Sequence, residues 1–98
     1  MRLRALQRRR SHLARRERLL EEAFDRYLSW RAEAEAAREA YTRWWGATEG
    51  ALPYAAYTAA LDREECAATM YGNVVARVDS ILDADLQLAR VQTRTARR

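Results

Sequence analysis

The feature that most constrains this chain is where its helix breakers fall. It holds three glycines and one proline in 98 residues. Three of those four sit in one window, Gly46-Ala47-Thr48-Glu49-Gly50-Ala51-Leu52-Pro53. Glycine and proline punctuate regular structure. A chain with one such window at its middle has two long uninterrupted halves and one turn. Gly46 is available as the residue that ends a helix. Pro53 suits the first position of the next helix, where its missing N–H does no harm.

Both halves carry a helical pattern. From Leu20 onward the apolar residues recur at spacings of three and four: Leu20, Ala23, Tyr27, Trp30, Ala34, Ala37, Tyr41 and Trp44. That period marks an amphipathic helix. The row runs back through Leu13 and Leu6, where the alternate positions become Arg9 and Arg16 and the stripe turns basic. Glu22–Arg26 and Glu39–Arg43 stand four apart, acid first, and each stabilises the helix by about 0.3–0.5 kcal/mol. The second half repeats the pattern at Tyr54, Tyr57, Leu61, Ala68, Tyr71, Val75, Val78 and Leu82. Ala60, Ala67, Val74, Ile81 and Leu88 widen it. Gly72-Asn73 either is tolerated there at about 1 kcal/mol or breaks the helix in two.

The expected fold is all-α: a long antiparallel two-helix hairpin with helices over about 12–46 and 53–92. An arginine-rich segment, 1–19, helical or frayed, precedes a hairpin domain over 20–92, and a basic tail follows over 93–98. With the turn centred near Glu49–Gly50, residue i faces roughly residue 99 − i. The aromatics then fall into two groups. Tyr41, Trp44, Trp45, Tyr54 and Tyr57 gather at the turn; Phe24, Tyr27, Trp30 and Tyr71 gather halfway along. Trp30, Tyr41, Trp45, Tyr54, Tyr57 and Tyr71 form the candidate interaction face. Glu64 falls in the second stripe opposite Arg31 and Arg38, and an ion pair with one of them is expected. A partly buried charge left unpaired costs several kcal/mol.

A lone two-helix hairpin has one seam and buries little apolar surface. Either the N-terminal segment folds back as a third helix, or the hairpin packs on a copy of itself or on another protein. Off-seam Leu28, Val74, Ile81 and Leu86 favour burial on a second side, and either a homodimeric four-helix bundle or an obligate protein partner is expected.

Charge divides the chain into three. The formal net charge is +4, and every one of the 18 basic residues is arginine. Absent lysine reflects either GC-rich codon usage or a preference for guanidinium geometry. Residues 1–20 hold eight arginines and one acid; residues 21–90 hold seven arginines and thirteen acids; residues 91–98 hold three arginines and no acid. The hairpin brings the two basic ends to one pole. Arg2, Arg4, Arg8, Arg9, Arg10, Arg15, Arg16, Arg94, Arg97 and Arg98 are the candidate anion-binding residues. Nucleic-acid phosphate is the natural ligand, held bidentately by guanidinium. An anionic membrane is a weaker fit, and a solvated tail is the plain alternative.

Nothing in the sequence points to catalysis. The one histidine, His12, lies in the arginine tract, with no nucleophile beside it. Glu21-Glu22 and Glu64-Glu65 lack the histidine that a helical di-metal site needs three residues on. No glycine-rich phosphate loop is present, and neither a metal nor another cofactor is expected. Cys66 is the only cysteine, so no intramolecular disulfide forms. Arg9-Arg10-Ser11-His12-Leu13 is similar to a twin-arginine signal, but no apolar region follows it. A cytoplasmic protein is expected.

At the turn the residues read Trp44-Trp45-Gly46. A Trp-x-Gly at the middle of a two-helix chain of this length resembles the small helical-hairpin proteins exported by type VII secretion systems. The resemblance covers about residues 20–90. It implies that Trp44 and Gly46 mark the bend, that hairpins pair into four-helix bundles, and that the chain is secreted. The family's Tyr-x-x-x-Asp/Glu export signal has no counterpart here; Tyr71 is followed at that spacing by Val75. Three functions therefore stand as expectations: a non-enzymatic helical interaction protein, a nucleic-acid-associated protein using its arginine pole, and a secreted hairpin.

Overall fold

The computed structural model describes residues 2–47 and 51–96. It is all-α: helix α1 spans Arg2–Gly46 and helix α2 spans Ala51–Ala96. The two pack against each other along their length as an antiparallel hairpin. The result is a plate of 74 × 26 × 13 Å, only one helix thick.

Several boundaries differ from the sequence expectation. α1 begins at Arg2, so the arginine-rich segment continues the hairpin and does not fold back as a third helix. Arginine is almost as good a helix former as alanine, so the tract stays helical without a core. α2 runs unbroken through Gly72 to Ala96. Gly46 remains helical, because no glycine among the described residues has a positive φ. The chain leaves α1 through a bond from the Ala47 N–H to the Trp44 carbonyl, 3.2 Å. Pro53 is the third residue of α2, still within the turn whose N–H groups lack helical acceptors. The centre of the turn, 48–50, lies outside the described residues.

The register agrees with the expectation. Glu22 meets Arg77, Tyr27 meets Tyr71 and Trp44 meets Tyr54. The seam is built from Leu19, Ala23, Arg26, Trp30, Glu33, Ala37, Ala40 and Trp44 against Tyr57, Ala60, Glu64, Ala67, Tyr71, Val74, Val78, Ile81 and Asp85. All are buried or half-buried. The fully buried set is Ala37, Ala40, Ala60, Ala67 and Val74, and it is almost entirely alanine.

The seam is therefore rotated by one column from the stripe the sequence suggests. Ala23, Trp30, Ala37 and Trp44 face α2 as expected. Leu20 and Tyr41 on α1, with Tyr54, Leu61 and Leu82 on α2, are exposed beside the seam. Each helix has two columns of mostly apolar residues and a third in which Arg26 and Glu33 on α1, or Glu64 and Asp85 on α2, alternate with apolar ones, and two helices can share only two columns. Small side chains decide which two, because alanines let the backbones approach closely.

Gly72 stands exposed in the middle of α2, and an added Cβ there would meet nothing within 4 Å. Gly72→Ala is expected to raise stability by about 1 kcal/mol through helix propensity alone. Thermal unfolding at matched protein concentration reads this as a rise of several degrees in Tm. A lower Tm would mean that the helix needs glycine's flexibility at that point.

Candidate functional site

The two long edges of the plate differ in chemistry. In a two-helix coil the positions flanking the seam usually carry charges. On one edge they do. Arg77 donates to Glu22 at 2.9 Å, Arg63 lies 3.5 Å from Glu33, and Arg26 reaches the Met70 sulfur at 3.6 Å. These contacts close that edge.

On the other edge the two columns that flank the seam carry no charge. Its α1 column is Leu6, Leu13, Leu20, Tyr27, Ala34 and Tyr41; its α2 column is Tyr54, Leu61, Ala68, Val75, Leu82, Ala89 and Ala96. Thirteen flanking positions in a row escape the arginines and acids that fill a third of the chain. An antiparallel pair brings these two columns to the same face. Beyond them Leu3, Phe24, Trp45 and Leu86 extend the apolar surface, and all four are exposed.

Two aromatic clusters stand along this face. At the turn end Trp44 stacks on Tyr57 with centroids 5.5 Å apart and meets Tyr54 at 5.2 Å. Tyr41 bridges Trp44, Trp45 and Tyr57. Halfway along, Trp30 stacks on Tyr71 at 6.1 Å, and Tyr27 touches both rings. The six candidate interaction residues thus fall in these two groups. Phe24 joins neither; its side chain turns outward. Trp44 belongs to the seam, while Trp45 is 77% exposed.

Between the clusters lies a shallow open groove of about 860 Å³. Tyr27, Trp30, Arg31, Glu35, Arg38, Tyr41, Leu61 and Glu64 line it, so charged side chains border the apolar columns here. The expected ion pair does not form: neither Arg31 nor Arg38 comes within 4 Å of the Glu64 carboxylate. Arg31 instead donates to the Tyr27 hydroxyl at 3.3 Å. That bond is the main cause holding its guanidinium pKa above the ordinary value. Glu64 is half-buried and opens on the groove.

At the far end the helices carry the arginines. Arg2, Arg4, Arg8, Arg9, Arg10, Arg15 and Arg94 are exposed, and Arg16 is half-buried; Arg97 and Arg98 lie outside the described residues. Asp85 is the last acid of α2. Arg16 lies 3.6 Å from it and His12 Nε2 lies 3.3 Å from it. Sequence reasoning left His12 without a partner, although the hairpin register places it almost opposite Asp85. Cys66 is an exposed free thiol. Among the described residues no helix is long and apolar enough to cross a membrane. No family model, curated protein or solved structure matches the chain.

The whole arrangement rests on close approach at the alanine seam. Ala60 is 1% exposed, while Ala59 beside it faces solvent. Ala60→Leu is expected to cost about 1–3 kcal/mol, since the larger side chain forces the helices apart. Ala59→Leu should be nearly neutral. Urea unfolding of the two variants in parallel checks the contrast.

Proposed function

We propose that this chain is a non-enzymatic helical interaction protein whose open apolar columns pack on another protein surface, either a second copy of itself or a partner. The observation that carries this reading is the surface the hairpin leaves uncovered. Its accessible area is 8695 Å². A compact protein of this mass exposes about 5,800 Å². The radius of gyration is 21.9 Å, against about 13 Å for a compact domain of this length. The excess area is of the size that obligate interfaces bury, about 2,000–5,000 Å² in total.

The core supports the same reading. Among the described residues the hairpin buries only four alanines and one valine. At about 0.8 kcal/mol per buried methyl or methylene, that core offsets little of the entropy of ordering two helices this long. Leucines and rings that would make a core lie on the open face instead.

Light scattering at micromolar concentration tests the proposal, with at least twice the chain mass expected. A stable, well-folded monomer at 11.4 kDa would overturn it. Two substitutions assign the face. Leu61, 39% exposed, belongs to the uncharged column, and Met70, 43% exposed, to the ion-paired edge. Leu61→Glu is expected to dissociate the assembly, because it buries a charge at an apolar interface. Met70→Glu should leave the mass unchanged.

A further inference from the structure

We propose that the arginine pole binds the phosphate backbone of double-stranded nucleic acid, without reading its sequence. Over residues 2–16 of α1 and 86–96 of α2 there are nine arginines and no acid. Both segments are helical, so these charges are held on rigid rods and not on a loose tail. Like charges so concentrated oppose the folded state, and a polyanion relieves that repulsion.

The placement of individual arginines fits a ligand better than it fits self-packing. Arg2 and Arg9 occupy the seam column that Ala23, Trp30, Ala37 and Trp44 fill further along. Apolar residues there would have extended the seam; arginines give up that contact. Arg4, Arg8 and Arg15, spaced four and seven apart with Ser11 between them, form a ridge with a shallow polar depression along it. Extended to Arg18 the ridge is about 21 Å long. Over that distance duplex DNA presents about 12 phosphates. Guanidinium groups at these spacings reach one flank of the backbone and hold its oxygens bidentately.

The ridge also points the right way. It continues the ion-paired edge, while Leu6, Leu13 and Leu20 lie on the opposite edge. A protein covering the apolar face leaves the arginines available. Arg10 shares the column of Leu3 beside Leu6 and Leu13, so an anionic bilayer is the competing surface, and the vesicle arm of the test separates it from a duplex.

The test is fluorescence polarisation with two labelled 20-base-pair duplexes of unrelated sequence, from 50 to 200 mM salt. Four phosphate contacts predict a log–log slope of about −3.6, or about a 150-fold loss of affinity over that range. The two duplexes should bind within about threefold of each other. Arg4→Gln/Arg8→Gln/Arg15→Gln should cut the slope to about −1, and lysine at the same three positions should restore most of it. Arg43→Gln, at the turn end, should change nothing. Circular dichroism confirms that the glutamine variant stays helical, since glutamine is close to arginine in helix propensity. No binding at 50 mM salt, a flat salt response, or a glutamine variant as tight as the parent would overturn the proposal. So would capture by anionic phospholipid vesicles with no duplex binding, which would assign the pole to a membrane. Light scattering on the same variant keeps this outcome separate from association through the apolar face.

Discussion

The close approach of the two helices at Ala37, Ala40, Ala60 and Ala67 sets everything else in this molecule. A methyl group is the smallest side chain that still packs, so a column of them brings two backbones near each other and fixes their rotation. Once that rotation is set, each helix has one column on either side of the seam and no further choice. On one side the flanking columns hold Glu22, Arg63 and Arg77, and charge closes the edge. On the other they hold only apolar residues. The sealed edge and the open face are two consequences of one packing decision.

That decision also explains why polar groups are tolerated in the seam. Arg26, Glu33, Glu64 and Asp85 all sit in seam columns. In a thick domain such positions would be dry, and each charge would need a partner. A plate 13 Å thick keeps both edges within reach of water, and no polar side chain is fully buried among the described residues. The regime changes if the open face is covered. The groove that holds Glu64, Arg31 and Arg38 would then lose its solvent, and an ion pair unnecessary in the lone hairpin would become worth forming. The aromatic clusters at either end of that groove already supply the rigid walls.

How much of this was legible in the sequence follows from what each signal measures. The breakers at 46–53 located the turn, and its position gave the register that pairs Glu22 with Arg77. The two aromatic groups followed from the same arithmetic, Phe24 excepted. The rotation of the seam was not legible. More columns carry apolar residues than one seam can use, and a reading that weights size favours Leu20, Tyr41 and Leu61. Packing weights close approach instead and selects Ala40 and Ala60. The ion pair expected for Glu64 depended on burial that a two-helix plate does not provide. The helix ends were missed for a different reason. Periodicity vanishes where arginine replaces the stripe, yet arginine's own propensity carries α1 back to Arg2.

The charge distribution gains meaning from this geometry. The acidic body uses part of its charge internally: Glu22, Glu33 and Asp85 each lie against an arginine of the other helix. Past Asp85 no acid remains on α2, so of the pole's arginines only Arg16 has an acid of the other helix beside it among the described residues. The seam there loses its apolar character at Arg2 and Arg9, yet the leucines of the open edge persist to Leu6. An apolar column and an arginine ridge therefore run along the same two helices. The apolar column and the ridge of Arg4, Arg8 and Arg15 lie on opposite edges of a plate one helix thick, so covering one leaves the other open.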